Sequence, residues 1–246
     1  MSVSTTVPVP AAVAPHARPD IGRPGVGVVK VSTWDVGTPE RQRAALAAIA
    51  RAWRSREWPD AGLLSYTIHA GEDGRTLLHY SQWTGEEAYR DFVRTHRDER
   101  NAEIDAAVPG VARLDLHSYE LYPDGVRGAG DPRIPGAVVV VEAELDGSGG
   151  ERRRAGVDGV LAAPAGDAPD EAGAGAGKIS GWLHLGTDGT RILHYAEWET
   201  ADAHRAARDD PGEGAGGAWQ RLRSLPGVRV RRVHRCVPGL SLRPGV

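Results

Sequence analysis

Leu77 to Trp83 reads LLHYSQW, and Ile192 to Trp198 reads ILHYAEW, the same pattern written twice at a spacing of 115. Each copy is an apolar strand that closes on His, Tyr, a small residue, Gln or Glu, and Trp. An imidazole can take or give a proton near neutral pH, and an indole adds a large flat surface with one N–H donor. Side chains alternate across a strand, so Leu77, His79, Ser81 and Trp83 share one face while Leu78, Tyr80 and Gln82 take the other. In the second copy Ile192, His194, Ala196 and Trp198 share the matching face. An isolated histidine on an apolar strand is more often a hydrogen-bonded core residue than a catalyst, and a duplicated fold duplicates its core.

The similarity runs well beyond these words. LLSYTIHAGEDGRTLLHYSQW (Leu63 to Trp83) matches KISGWLHLGTDGTRILHYAEW (Lys178 to Trp198), with Asp73-Gly74 over Asp188-Gly189 and His69 over His184. Later, VPGVARLDLHSYELY (Val108 to Tyr122) matches LPGVRVRRVHRCVPG (Leu225 to Gly239), placing His117 over His234. A repeat of this length is one structural unit used twice.

The elements that must hold these residues follow from the first copy. Val26 to Trp34 is apolar and β-branched, as a strand requires. Thr38-Pro39-Glu40 then supplies an N-cap, a proline at the first helical position and an early negative charge before a segment in which Leu46, Ile49 and Trp53 recur at helical spacing. Leu63 to Ala70 and Arg75 to Trp83 flank Glu72-Asp73-Gly74, a hairpin signal. Thr84 is placed to cap the next helix, Glu86-Glu87 load its first turn, Pro109-Gly110 ends it, and Val111 to Tyr122 is a last strand.

The order βαββαβ predicts an α+β fold: two ferredoxin-like units packed sheet to sheet as an intramolecular pseudo-dimeric α/β barrel. The expected boundaries are a loose tail over 1–24, a first domain over 25–125, a linker over 126–135 and a second domain over 136–240. The second copy keeps its strands better than its helices. AGVDGVLAAPAGDAPDEAGAGAG and ARDDPGEGAGG fall where helices belong, and Gly and Pro should shorten or break them.

Bulk composition narrows the function classes. The mix of 40% hydrophobic and 26% charged residues suits a globular protein, and a net charge of −3 gives no electrostatic reason to expect nucleic acid or an anionic membrane. Arg152 to Arg154 reads as a solvated helix face. The first 24 residues lack the continuous apolar stretch of a signal peptide, so the expected location is the cytoplasm. The single cysteine, Cys236, permits no internal disulfide and no Cys-based zinc site, and it is read as structural. GAGAGK (Gly173 to Lys178) fails the phosphate-loop pattern because Ala172 and Ile179 stand at its key positions, and Gly212, Gly214 and Gly217 form GxGxxG without the strand and turn of a dinucleotide fold. No His pair has the spacing of HExxH and no metal site is expected, although His69, His79 and His117 lie on three strands of one sheet and could converge.

The βαββαβ order, the strand closing on (Gln/Glu)-Trp and the helix continuing as EEAYRDFVRTH resemble the antibiotic biosynthesis monooxygenase family, small dimeric α/β-barrel proteins of polyketide pathways. The chain is similar to a tandem form of them. The resemblance implies an oxygenase with no flavin, haem or metal, using molecular oxygen as co-substrate to convert an aromatic polyketide such as an anthrone or naphthacenone to its quinone. In quinone-forming members the pocket carries an Asn and a Trp four residues apart, a Tyr six beyond the Trp and a His ten before the Asn. Trp83, Tyr89 and His69 match, while His79 stands at the Asn position, where it can also accept a proton.

The implied roles are a base at His79 or His69, positioning donors at Trp83 and Tyr89, and further pocket residues at His117, Arg100, Tyr66 and Ser81. The second-domain equivalents are His184, His194, Trp198, His204 and His234; His204 replaces the tyrosine, so that pocket is expected to be altered or lost. A further homodimer is open. A polyketide cyclase, or a protein that binds a pathway intermediate without turnover, is the alternative on this fold.

Overall fold

The computed structural model describes residues 10–15, 18–127, 130–145, 177–209 and 223–245. Along the chain run β1 (Ala11–Pro15), β2 (Val28–Asp35), α1 (Pro39–Arg54), β3 (Leu63–Gly71), β4 (Thr76–Trp83), α2 (Glu86–Thr95), α3 (Arg97–Ala107) and β5 (Ala112–Arg127). There follow β6 (Ala137–Leu145), β7 (Lys178–Gly186), β8 (Arg191–Trp198), α4 (Ala201–Asp209) and β9 (Val228–Pro244). Among the described residues no helix is long and apolar enough to cross a membrane.

Two compact units divide the chain, one built from Met1–Pro19, Arg23–Leu116 and Gly239–Val246, the other from Asp20–Gly22 and His117–Pro238. In the first, the strand order is β1–β9–β3–β4–β2–β5; in the second it is β5–β7–β8–β6–β9. The repeat read from the sequence is therefore a repeat of sheets. Each long final strand also serves twice: β5 begins in the first unit and ends in the second, while β9 does the reverse.

Helix α1 starts where its capping signals place it. Thr38 is extended (φ −137°) and its hydroxyl accepts from the Arg41 N–H at 3.3 Å. One face of α1, with Ala45, Ala48, Ile49, Ala52 and Trp53, is buried on a sheet face carrying Trp34, Ile68, Leu77 and Trp83. Gln42 is the polar member of that face, and its Nε2 donates to the carbonyls of Gly71 at 3.0 Å and Thr76 at 2.8 Å. It thereby ties the helix to both arms of the β3–β4 hairpin. Gln42→Met should cost about 1–3 kcal/mol, because two carbonyls lose their donor; an unchanged denaturant midpoint would show that the clamp does not contribute.

The hairpin itself closes as Asp73-Gly74 predicts. Gly74 takes φ +69°, and Asp73 Oδ1 accepts from the backbone N–H groups of Arg75 and Thr76, each at 2.9 Å. The helix expected after Thr84 is two helices, α2 and α3, separated at His96 (φ −129°, ψ −21°). Its N-cap is Gly85 rather than Thr84, with no side-chain cap hydrogen bond; Glu86 and Glu87 in the first turn supply the favourable charge instead.

At the N-terminus, Ala11–Pro15 lies within the expected tail but forms a strand, pairing antiparallel with Leu240–Pro244. β5 likewise continues into the segment read as a linker. Cys236 is buried on β9. The Arg152 to Arg154 run, the helical segment expected over 155–176, most of GAGAGK and the glycines of GxGxxG lie outside the described residues.

Candidate active site in the first unit

β4 lies between β3 and β2, with His79 opposite Ser32 on β2 and Ile68 on β3. Directly opposed residues share a face, so His79 lies on the face that α1 covers. The ring is only 3% exposed. Its Nδ1 lies 2.6 Å from the Tyr66 hydroxyl, and the Trp34 ring packs against it at 4.2 Å between centroids. Tyr66 in turn rests on Trp53 at 5.3 Å. Burial pushes His79 down to about 3, with the charges of Arg113 and His69 adding to the effect, so the imidazole is neutral at physiological pH. Burial also holds the Tyr66 phenol well above its ordinary value, so that hydroxyl keeps its proton.

The other ring nitrogen has no such contact. His79 Nε2 is buried and has no hydrogen-bond partner among the described residues. Leaving such a group unpaired costs about 1–3 kcal/mol, and this nitrogen belongs to a ring set among Trp34 and Tyr66. Tyr66 can donate to Nδ1, leaving Nε2–H as a donor, or accept from Nδ1–H, leaving a lone pair at Nε2. One hydroxyl thus supports either the donor or the acceptor form.

Further along the face, Trp83 meets Tyr89 edge-on at 5.2 Å and Phe92 at 5.2 Å. Its N–H is committed to Ser81 Oγ at 2.9 Å, so Trp83 contributes a surface rather than a spare donor. Burial raises the Tyr89 phenol, against the opposing influence of Arg97. Lys30 on β2 lies opposite Ser81, buried to 4% exposure, with Nζ 2.7 Å from Glu86 Oε2 and 4.4 Å from the Tyr89 ring centre. Arg113 lies 4.5 Å over Trp34. Sequence reasoning missed Lys30, Trp34 and Arg113, although the alternation Val28, Lys30, Ser32, Trp34 puts the lysine on the tryptophan's face.

No protein-family model matches the chain, and no curated protein does. Solved structures do match. An anthrone oxidase-like protein aligns with a TM-score of 0.58 at 14% identity, over 95% of this chain and 96% of its own. A monooxygenase-named protein of Fusobacterium nucleatum subsp. nucleatum gives 0.51 at 10% identity, over 91% and 98%. A dye-decolorizing peroxidase of Bacteroides thetaiotaomicron gives 0.51 at 14%, over 87% and 93%. The chain has the fold of the anthrone oxidase-like protein. The resemblance seen in LLHYSQW and EEAYRDFVRTH thus holds for the fold, and chemistry has to be argued from the site, because a dye-decolorizing peroxidase is built on the same anthrone oxidase-like fold.

Two of the sequence-predicted residues stand elsewhere, and a third, Arg100, lies behind the site. His69 pairs with Leu78, one residue out of step with the Ile68–His79 pair, and so belongs to the opposite sheet face. It is fully buried and pushed down to about 4 by burial. His117 belongs to the second unit, where its ring meets Tyr119 edge-on at 6.5 Å. The convergence of His69, His79 and His117 therefore does not occur, and no group of three His, Cys, Asp or Glu among the described residues is placed to hold a metal ion. Arg100 is buried behind the aromatic cluster, donating to the carbonyls of His96 and Glu57 at 3.0 and 2.9 Å and lying 4.7 Å over Trp53 and 5.9 Å over Phe92, the rings that back Tyr66 and Trp83. It fastens α3 to the core.

The second unit keeps the histidine and the tryptophan and changes most of their neighbours. His194 lies opposite Val141 and Leu183, as His79 lies opposite Ser32 and Ile68. Gly181 holds the place of Tyr66, Ala196 that of Ser81, Val139 that of Lys30 and Ala143 that of Trp34. Trp198 meets His204 edge-on at 5.2 Å, as Trp83 meets Tyr89. His184 is buried and pushed down to about 4, the counterpart of His69. His234 is held by Glu142, Nε2 to Oε1 at 2.9 Å, and the Tyr119 hydroxyl donates to the same carboxylate at 3.4 Å. His234 is thus bound into a buried polar cluster of its own.

Proposed function

We propose that the chain is a cofactor-independent oxygenase that converts an aromatic polyketide of anthrone or naphthacenone type to its quinone with molecular oxygen, and that the first unit carries the chemistry. The observation that supports this most strongly is the buried, unpartnered Nε2 of His79, held by Tyr66 and faced by Trp34 on an aromatic-lined surface. Such a surface suits a flat polycyclic ligand, and the free nitrogen meets its ionisable edge.

The reaction balances without a further electron source. Removal of one proton from the acidic CH2 of the anthrone gives a delocalised anion that passes an electron to O2. Recombination forms a C–O bond and, with a proton, the hydroperoxide. Loss of the remaining C–H proton with cleavage of the O–O bond leaves the C=O of the quinone and one water. His79 accepts the first proton through Nε2. Its low pKa describes the free site; once the substrate has become an anion beside it, the imidazolium gains an opposite charge at short range, which offsets much of the desolvation.

Oxygen-electrode measurements with an anthrone test the reading. Stoichiometric oxygen uptake with appearance of the quinone chromophore is the expected result. Ring closure of a poly-β-keto substrate without oxygen uptake would mean a cyclase, and saturable binding with no product would mean a carrier.

A further inference from the structure

We propose that Lys30 is the charge-bearing residue of this site and that the site accordingly binds its aromatic ligand as a phenolate rather than as a neutral phenol; the inference rests on the aromatic-ligand reading above. A lysine with 4% exposure on a sheet face lined mainly by aliphatic and aromatic side chains is costly unless its charge is used or paired. Lys30 is paired, but with Glu86, whose side chain is 42% exposed and can turn to water. Its ammonium also lies against the Tyr89 ring.

The position matters as much as the charge. Lys30 opposes Ser81, and His79 stands two residues along β4 on the same face, which makes Lys30 and His79 diagonal neighbours at about 7–8 Å between backbones. A single polycyclic ligand spans that separation. One edge would meet Nε2 while a ring oxygen meets the ammonium, displacing Glu86. The charged and titratable groups that bear on the ligand are Lys30, Glu86 and Tyr89 with its Arg97 partner at one end, and His79, Tyr66 and Arg113 at the other. The second unit has valine where the first has this lysine; the cation near its histidine is Lys178, which comes from β7, beside Gly181, rather than from the β2-equivalent strand.

Alizarin, a hydroxyanthraquinone whose colour reports phenol ionisation, serves as the probe with the full-length protein. Bound to the wild type it should ionise about one to two pH units below the free dye, as an anion beside a buried cation does. Lys30→Met should abolish that lowering, Lys30→Arg should retain it, and Glu86→Gln, which removes the competing carboxylate from a half-exposed position, should lower the ionisation pH further. Equal ionisation in wild type and Lys30→Met, or no response to Glu86→Gln, overturns the role of Lys30 while leaving aromatic binding intact. Absence of saturable dye binding to the wild type overturns the aromatic-ligand reading and this inference with it.

Discussion

Oxygen uptake on an anthrone should fall by about 10²–10⁴-fold in His79→Ala, the range a positioned proton acceptor supplies. His194→Ala, altering the histidine that has Gly181, Ala196 and Ala143 where His79 has a tyrosine, a serine and a tryptophan, should leave the rate close to wild type. Tyr66→Phe removes the hydroxyl that holds Nδ1 and should cost about tenfold, the kinetic equivalent of one ordinary hydrogen bond. His79→Asn separates two uses of the ring, since an amide can donate or accept a hydrogen bond but cannot hold the proton. Substantial retained activity in His79→Asn would assign hydrogen bonding rather than proton acceptance to this position. Because His79 is pushed down to about 3, the wild-type rate should show no acid-side inflection near pH 6.5 wherever the protein stays folded. Full activity in both His79→Ala and His79→Asn would remove the site from consideration.

Mild acid should unfold this protein well before its carboxylates titrate. His69, His79 and His184 are each at most 3% exposed, and burial holds them at about 4, 3 and 4 against an ordinary value of 6.5. The unfolded chain takes up these protons as pH falls through 6.5, whereas the folded chain refuses them until about pH 4, so stability rises with pH across that window and is lost on acidification. Each proton corresponds to about 1.4 kcal/mol per pH unit, so three together reach at most about 4 kcal/mol per unit. Set against a total stability of about 5–15 kcal/mol, one to two pH units would consume much of it. Denaturant midpoints at pH 7, 6 and 5 check this, and His69→Gln should flatten the dependence. A midpoint constant from pH 7 to 5 would mean that these rings are solvated in the folded protein.

The repeat and the aromatic part of the site were legible because both reside in short-range pattern. Alternation along one strand is enough to put His79 and Trp83 together, and the family resemblance, with its tyrosine six residues beyond the tryptophan, brings in Tyr89. What escaped depends on pairing between strands. Whether His69 or Ile68 opposes His79 is decided by the β3–β4 register, which shifts between Leu63 and Ser65, and one residue of slip reverses the face. His117 was assigned to the first unit because β5 outruns its own sheet, and Lys30 was not singled out because its counter-ion, Glu86, lies 56 residues on. The break at His96 has no proline or glycine to announce it.

The exchange of strand ends means that neither half of the gene encodes a finished sheet. A chain stopped after the first repeat would lack Gly239–Pro244, the segment that lies between β1 and β3, and would expose a row of unpaired backbone groups along β3. A chain beginning at the second repeat would lack the stretch of β5 that borders β7. The weathered second copy is therefore under a constraint unrelated to catalysis: it must go on supplying one strand to its neighbour. The chain cannot be shortened to a single repeat without leaving a sticky sheet edge behind.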